Sequence, residues 1–484
     1  MKKLIFSALL ISVSFTAFPQ TTVAVYSASQ LGLSGSNGAN LTGWESILIN
    51  PAGMENRQWY STDLTLFSSG GGLISNTGMS FEFYNTYFTG TGKNRKDGTP
   101  EPTFLNESDK KDLINTFDPE LKGISKGQII PFAFSYSHSR YGTVGLMLVS
   151  GGIGYFSLPK SFAEIAFSKL NAPGLTYDLS GLTINGLARN QIILSYAYST
   201  SSLRFIPLLD NMAFGFNVKF QQGLAYTELF NRSDIISTDS EGVITRRFKY
   251  DGRAAGNNFF TSKIEKGIEI PGYFFDPAGS GMGYDFSVSG TWSGQIKTFV
   301  GITDLGSIEW SRNAFTLEDE GTITLEPYDV NDESKSQTSY LDSLKNLVKP
   351  NKTYQSFTTD LPTALNAGVS LPLTALPIPK YYPGEIFLYS SFHIALNEAV
   401  GNQNRFRSAF GTEWIVAEMW IFRSGFSYAE LDGLNWGIGA GFKTSVFQAD
   451  IGTSHLGELF KGESAQSFSI SANLRWFIPF NNEW

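Results

Sequence analysis

The stretch Ser467–Phe480, SFSISANLRWFIPF, limits what this chain can fold into more than any other. Its even positions are Phe468, Ile470, Ala472, Leu474, Trp476, Ile478 and Phe480, all apolar. Ser467, Ser469, Ser471, Asn473 and Arg475 alternate with them. A period of two sends successive side chains to opposite faces of a strand. One face is a tall apolar band and the other carries hydroxyls, an amide and a guanidinium. A strand with lipid outside and water inside has this pattern. Phe477 and Pro479 break the polar face, so the spanning part is expected to end between Trp476 and Phe480.

The same rhythm recurs along the chain. Phe214, Phe216, Val218 and Phe220 alternate with Gly215, Asn217, Lys219 and Gln221. Ile192, Leu194, Tyr196 and Tyr198 form a run with a Tyr-rich end, as in an interfacial aromatic girdle. Met79, Phe81 and Phe83 share a face opposite Ser80, Glu82 and Tyr84, which reads as a further strand. The runs together predict an all-β fold, a transmembrane antiparallel β-barrel of about 14 strands. A large secreted β-sandwich is the competing reading.

Composition supports the barrel. The chain holds 40 Phe and 21 Tyr but only 17% charged residues. A mean hydropathy of -0.10 is compatible with life in lipid, because alternating strands dilute each other. Beyond the first residues, no run of about 18 to 20 apolar residues offers a helical span. Cys is absent, which excludes disulfides, thiolate metal sites and a Cys nucleophile. A net charge of -8 gives no basic face for nucleic acid.

The N-terminus reads MKKLIFSALLISVSFTAF, a basic start and an apolar run, so residues 1–20 are expected to be a secretory signal peptide. Residues 21–55 show no alternation and are rich in Gly, Ser, Ala and Asn. Irregular backbone cannot face lipid, so this segment is expected in the lumen or at its mouth, as a plug. A disordered arm is the alternative. Residues 56–484 are expected to form the barrel domain. Three polar insertions interrupt it, with short helices expected at Ser108–Phe117, Lys160–Leu170 and Ser336–Val348.

Candidate chemistry is sparse. His138, His393 and His455 are far apart in sequence. His138 lies between Ser137 and Ser139 at a strand end, but neighbours in a strand face opposite ways, so a rim acyl-transfer site is disfavoured. The run Asp329, Asn331, Asp332, Glu333 lacks the glycine and distal carboxylate of a calcium loop and reads as a solvated acidic loop. No enzyme, metal or cofactor is expected. Inward charges such as Lys219 and Arg475 are candidates to line a channel.

Two motifs carry a resemblance. Ile47–Met54, ILINPAGM, is similar to the N-terminal hatch of the long-chain fatty-acid transporter superfamily, including its Bacteroidetes secretion-associated members. Gly281–Asn313 pairs a glycine-rich strand carrying Asp285 with a strand ending in Asp304, Leu305, Gly306, Ser307, Ile308, Glu309 and Trp310. It resembles an uncharacterised Bacteroidetes outer-membrane family defined by a domain of unknown function. The resemblance implies an outer-membrane barrel, with Asp304, Leu305, Gly306 and Trp310 as structural positions and no assigned activity.

The expectation is therefore a cell outer-membrane barrel for passive or gated transport of a hydrophobic or small amphipathic ligand. Asn50, Pro51, Ala52 and Gly53 are the candidate gate. The alternative is an adaptor barrel that binds an outer-membrane protein partner, without transport. The expected partners are the lipid bilayer, the barrel-assembly machinery that reads the aromatic C-terminal strand, and a hydrophobic ligand.

Overall fold

The computed structural model describes residues 27–56, 60–75, 80–88, 105–167, 173–201, 206–257, 276–325, 351–377, 381–402, 405–430 and 433–479. The expected signal peptide, the Ser336–Val348 helix and the acidic run at 329–333 lie outside the described residues.

Fourteen antiparallel strands close into a barrel. They are β1 (Tyr60–Ser75), β2 (Glu120–His138), β3 (Gly142–Pro159), β4 (Thr183–Thr200), β5 (Leu209–Thr238), β6 (Gly279–Trp292) and β7 (Ile296–Trp310). Then follow β8 (Ala364–Pro372), β9 (Glu385–Ala395), β10 (Phe406–Val416), β11 (Trp420–Ala429), β12 (Gly433–Lys443), β13 (Phe447–Thr453) and β14 (Ser467–Pro479). Each pairs with its neighbours in sequence order. β1 pairs with both β2 and β14, so the sheet has no free edge around the ring.

Alternation in the sequence becomes inside and outside. On β14, Ile470, Leu474, Trp476 and Ile478 are exposed, while Ser469, Ser471, Asn473 and Arg475 are buried in the lumen. On β5, Phe214 and Phe220 point out, and Asn217, Lys219 and Gln221 point in. The outward apolar faces make this a transmembrane barrel. The inward Phe477 that broke the polar face is stacked on Tyr60 at 4.5 Å, beside the closure of the ring.

The two ends of the barrel differ. Short turns at residues 139–141, 293–295, 417–419 and 444–446 sit at the end that also holds Tyr60 and Pro479. The longer link between β8 and β9 shares this end, while the longest connections, those after β1, β3, β5 and β7, sit at the other. There the wall grows beyond the ring: the far half of β5 pairs with Ile244–Gly256, which pairs with Phe315–Leu325. Short helices at Glu107–Thr116 and Lys160–Phe167 lie in two of these connections, at the first two expected insertions.

One expected strand is a helix. Phe81–Phe88 is helical, capped where the Phe83 N–H donates to Ser80 Oγ at 3.1 Å. Phe83 and Tyr87 meet edge to face at 5.1 Å, the contact that i, i+4 spacing makes on a helix. The apolar/polar alternation there was too short to tell the two periods apart.

Residues 27–56 lie inside the barrel, in the half nearer the short turns. They run through short helices at Ala28–Gly32, Gly38–Asn40, Gly43–Ser46 and Pro51–Glu55. All are buried except Gly35, Asn40 and Asn56. Such tight turns satisfy much of the backbone locally, as where the Asn50 N–H donates to Ser46 O at 2.8 Å. The wall makes room with inward glycines. A Cβ on Gly425 would lie 2.3 Å from the Leu33 carbonyl, and one on Gly215 would lie 2.0 Å from the Ala52 nitrogen.

Gly425→Ala is therefore expected to destabilise the protein by about 1–3 kcal/mol through overpacking. Gly457→Ala, where a Cβ meets nothing within 4 Å, serves as control. Thermal unfolding followed by heat-modifiable gel mobility reads the difference, and equal midpoints would refute the close contact.

Candidate functional site

The candidate site is the contact between the luminal segment and the wall. It has two unlike sides.

On one side the contacts are ionic. Arg475 of β14 reaches Glu45 of the luminal segment and Asp63 of β1. Asp63 also accepts from the Trp44 N–H at 3.3 Å, and the Arg475 guanidinium lies over the Trp44 ring at 5.7 Å. Further round the wall, Arg423 pairs with Glu413 and Asp450, each at 2.6 Å. Glu413 accepts from Tyr389 at 3.0 Å, whose hydroxyl accepts from Asn40 at 3.0 Å. Asn40 Oδ1 in turn accepts from Lys297 at 3.0 Å. Arg407 donates to the Ser34 carbonyl. Residues 27–46 are thus tied to β7, β9–β11, β14 and β1 through groups linked to buried charges.

On the other side the contacts are chiefly apolar packing and hydrogen bonds to hydroxyls, those of the Glu55 carboxylate included. Ile47, Leu48 and Met54 pack with Ile130, Met147, Ile193 and Ala197 of β2–β4 in one buried cluster. Asn50 Oδ1 accepts from Ser289 Oγ at 3.0 Å, and the Ala52 N–H donates to Ser287 Oγ at 2.8 Å. Pro51 rests against Gly215. Gly53 packs within the segment, near the Leu41 carbonyl and the side chains of Ser46 and Asn50. Glu55 accepts from Thr143 and Ser199 hydroxyls, at 2.5 and 2.6 Å. Asn50, Pro51 and Ala52 therefore sit together against β5 and β6, with Gly53 turned into the segment.

Above this contact, towards the long connections, lies a cluster of four charges. Lys219 of β5 bridges Asp285 of β6 at 2.8 Å and Asp304 of β7 at 2.7 Å, and Arg189 of β4 pairs with Asp304 at 2.9 Å. Asn217 joins Asp285 to the Ile47 carbonyl, at 2.6 Å each. Lys219 and Arg475 do face inward, but both are buried within ion pairs rather than lining open water.

Asp304, Leu305, Gly306 and Trp310 occupy a bend at the upper end of β7. Asp304 is left-handed at φ 57°, Gly306 has φ 147°, and the pairing with β6 shifts register there. A Cβ on Gly306 would lie 2.0 Å from the Met282 carbonyl oxygen. Asp304 offers its N–H to Asp285 at 2.7 Å and its carbonyl to Thr363 at 2.8 Å. Leu305 stands opposite Tyr284 in the pairing with β6. Trp310 is fully buried, donates to Thr359 Oγ1 at 2.9 Å, and packs with Leu187, Tyr226, Ile308 and Leu361. These side chains make the upper inner wall apolar.

The histidines fall apart as the sequence suggested. His138 stands at the short-turn end and its Nδ1 accepts from the Arg140 N–H at 3.1 Å, while Ser137 Oγ bonds to Thr143 instead. His393 bonds to Asn366 at 2.9 Å. His455 holds a contact that sequence reasoning missed: its Nδ1 lies 2.8 Å from Ser469 Oγ, with Ser454 Oγ at 3.1 Å. The inward parity of Ser469 was the available signal. The cluster is buried and makes a polar seam between β13 and β14.

Fold and site together define a transmembrane β-barrel with an internal segment sealed to its wall. Residues 51–454 match the family of unknown function DUF5723, and the chain belongs to that family. No protein of curated function matches. Among solved structures the chain is similar to a Pseudomonas aeruginosa FadL homologue, at 11% identity and a TM-score of 0.46, covering 95% of this chain and 99% of that one. It is also similar to the Ralstonia pickettii toluene transporter TbuX, at 12% identity and a TM-score of 0.42, covering 94% and 98%.

Arg475→Ala leaves Glu45 and Asp63 buried without their cation. The expected loss is about 3–5 kcal/mol, the scale for breaking a buried pair. Arg475→Ala with Glu45→Gln and Asp63→Asn should recover part of it. Denaturant midpoints in detergent measure both, and no recovery would show that the charges are not what the variant disturbs.

Proposed function

We propose that the protein transports a hydrophobic or small amphipathic ligand across the outer membrane, passively or by gating, with residues 47–54 as the moving part. The asymmetry of the seal carries the reading. Residues 27–46 are bound through the buried Glu45–Arg475 pair and through hydrogen bonds from Arg407 and Lys297, and parting a buried pair is costly because each charge left behind is unsolvated. Residues 47–54 meet the wall through apolar packing, the hydroxyls of Ser287 and Ser289, and the Asn217 amide, which donates to the Ile47 carbonyl. A neutral hydrogen bond contributes roughly 0.5–1.5 kcal/mol net. A gap therefore opens most cheaply between Asn50–Gly53 and β4–β6, on an apolar surface suited to an apolar ligand. In this reading the Asp304–Trp310 bend is structural and fixes the upper wall.

Deleting residues 21–53 should open the lumen, seen as a rise in single-channel conductance in a planar bilayer. Cross-linking Ala52→Cys to Ser287→Cys should hold the seal and stop uptake, with recovery on reduction. Unchanged conductance after the deletion would sink the proposal.

An adaptor function is the second reading. The sheet of β5, Ile244–Gly256 and Phe315–Leu325 favours it, because it extends beyond the ring as a surface for a protein partner. A stoichiometric cross-linked partner in native membranes, with no ligand flux, would select it.

A further inference from the structure

We infer that the outer wall carries a binding site for one phospholipid acyl chain, in the leaflet on the short-turn side. An open apolar groove of about 420 Å³ crosses β4–β8 on the lipid-facing surface. Two outward rows form its ridges. The register aligns Phe214 with Val288 and Val300 in one row, and Phe216 with Phe286 in the next. Between the rows the floor is main chain, because Gly215 and Ser287 stand opposite each other and both turn inward.

The floor is braced from inside. Ala52 donates to Ser287 Oγ at 2.8 Å, and Pro51 and Ala52 press on Gly215. With residues 47–54 seated the floor is held, and a held groove orders a flexible chain at less cost than a mobile wall. Phe214, Phe286 and Val300 are all strongly exposed, so the ridges present faces for hydrocarbon to fill. The groove is continuous with the apolar band that contacts the bilayer, so its occupant is hydrocarbon from the membrane itself. Its place in the short-turn half of the wall selects the leaflet entered from that side. The site rests on the membrane-barrel fold and not on the transport reading.

The test uses full-length protein purified in a polyoxyethylene detergent and incubated with palmitoyl-oleoyl phosphatidylethanolamine. Native mass spectrometry reads the bound lipid, and heat-modifiable gel mobility reads folding. Wild type should retain a single lipid through collisional activation that strips detergent. Val300→Trp, which fills the groove from a lipid-facing position, should lose it. Ile470→Trp, on the lipid-facing side of β14, should keep it. If Val300→Trp does not fold, Phe286→Ala removes a ridge and should weaken retention. Equal retention by Val300→Trp and Ile470→Trp, no lipid on wild type, or purified lipid A taking the place of the phospholipid would each overturn the site.

Discussion

Arg475 is the interaction on which the rest of the structure leans. Its guanidinium lies on the last strand and binds a carboxylate of the first strand and one of the luminal segment. The same ion therefore closes the ring and fastens its contents. Burial makes the arrangement demanding. A charge removed from water must find its partners in the protein, and here the ion and its two partners come from three separated stretches of chain.

That demand organises the lumen in layers. Nearest the short turns, the luminal segment is held by buried charges on one side and chiefly by apolar packing and hydrogen bonds on the other. Above it, Lys219, Asp285, Asp304 and Arg189 stitch β4 to β7. Above that, Trp310 and its neighbours line the wall with apolar side chains. A polar interior is what a water-facing barrel needs, but these charges neutralise one another instead of facing an open channel.

The closing strand was legible in the sequence because its two faces follow from a period of two and nothing else. Around SGSNGANLTGW that period is lacking, and irregular backbone has no place against lipid, so an inward place was the expectation there; nearly all of residues 27–56 are buried. The Phe81–Phe88 helix was not legible, because six alternating residues fit either period. The partners of the buried charges were not legible either. Arg475 and Asp63 are 412 residues apart, and Arg189 and Asp304 are 115 apart. Local pattern fixes which face a side chain takes, while the closure of the ring decides whom it meets. His455 and Ser469 show the same limit at shorter range.

The luminal segment also ties the filling of the lumen to the closure of the wall. It precedes every described strand, yet its ionic anchor sits on β14, the strand that closes the ring on β1. One guanidinium, that of Arg475, holds Asp63 of β1 and Glu45 of the segment, so any strain that parts the last strand from the first also loosens what the barrel contains.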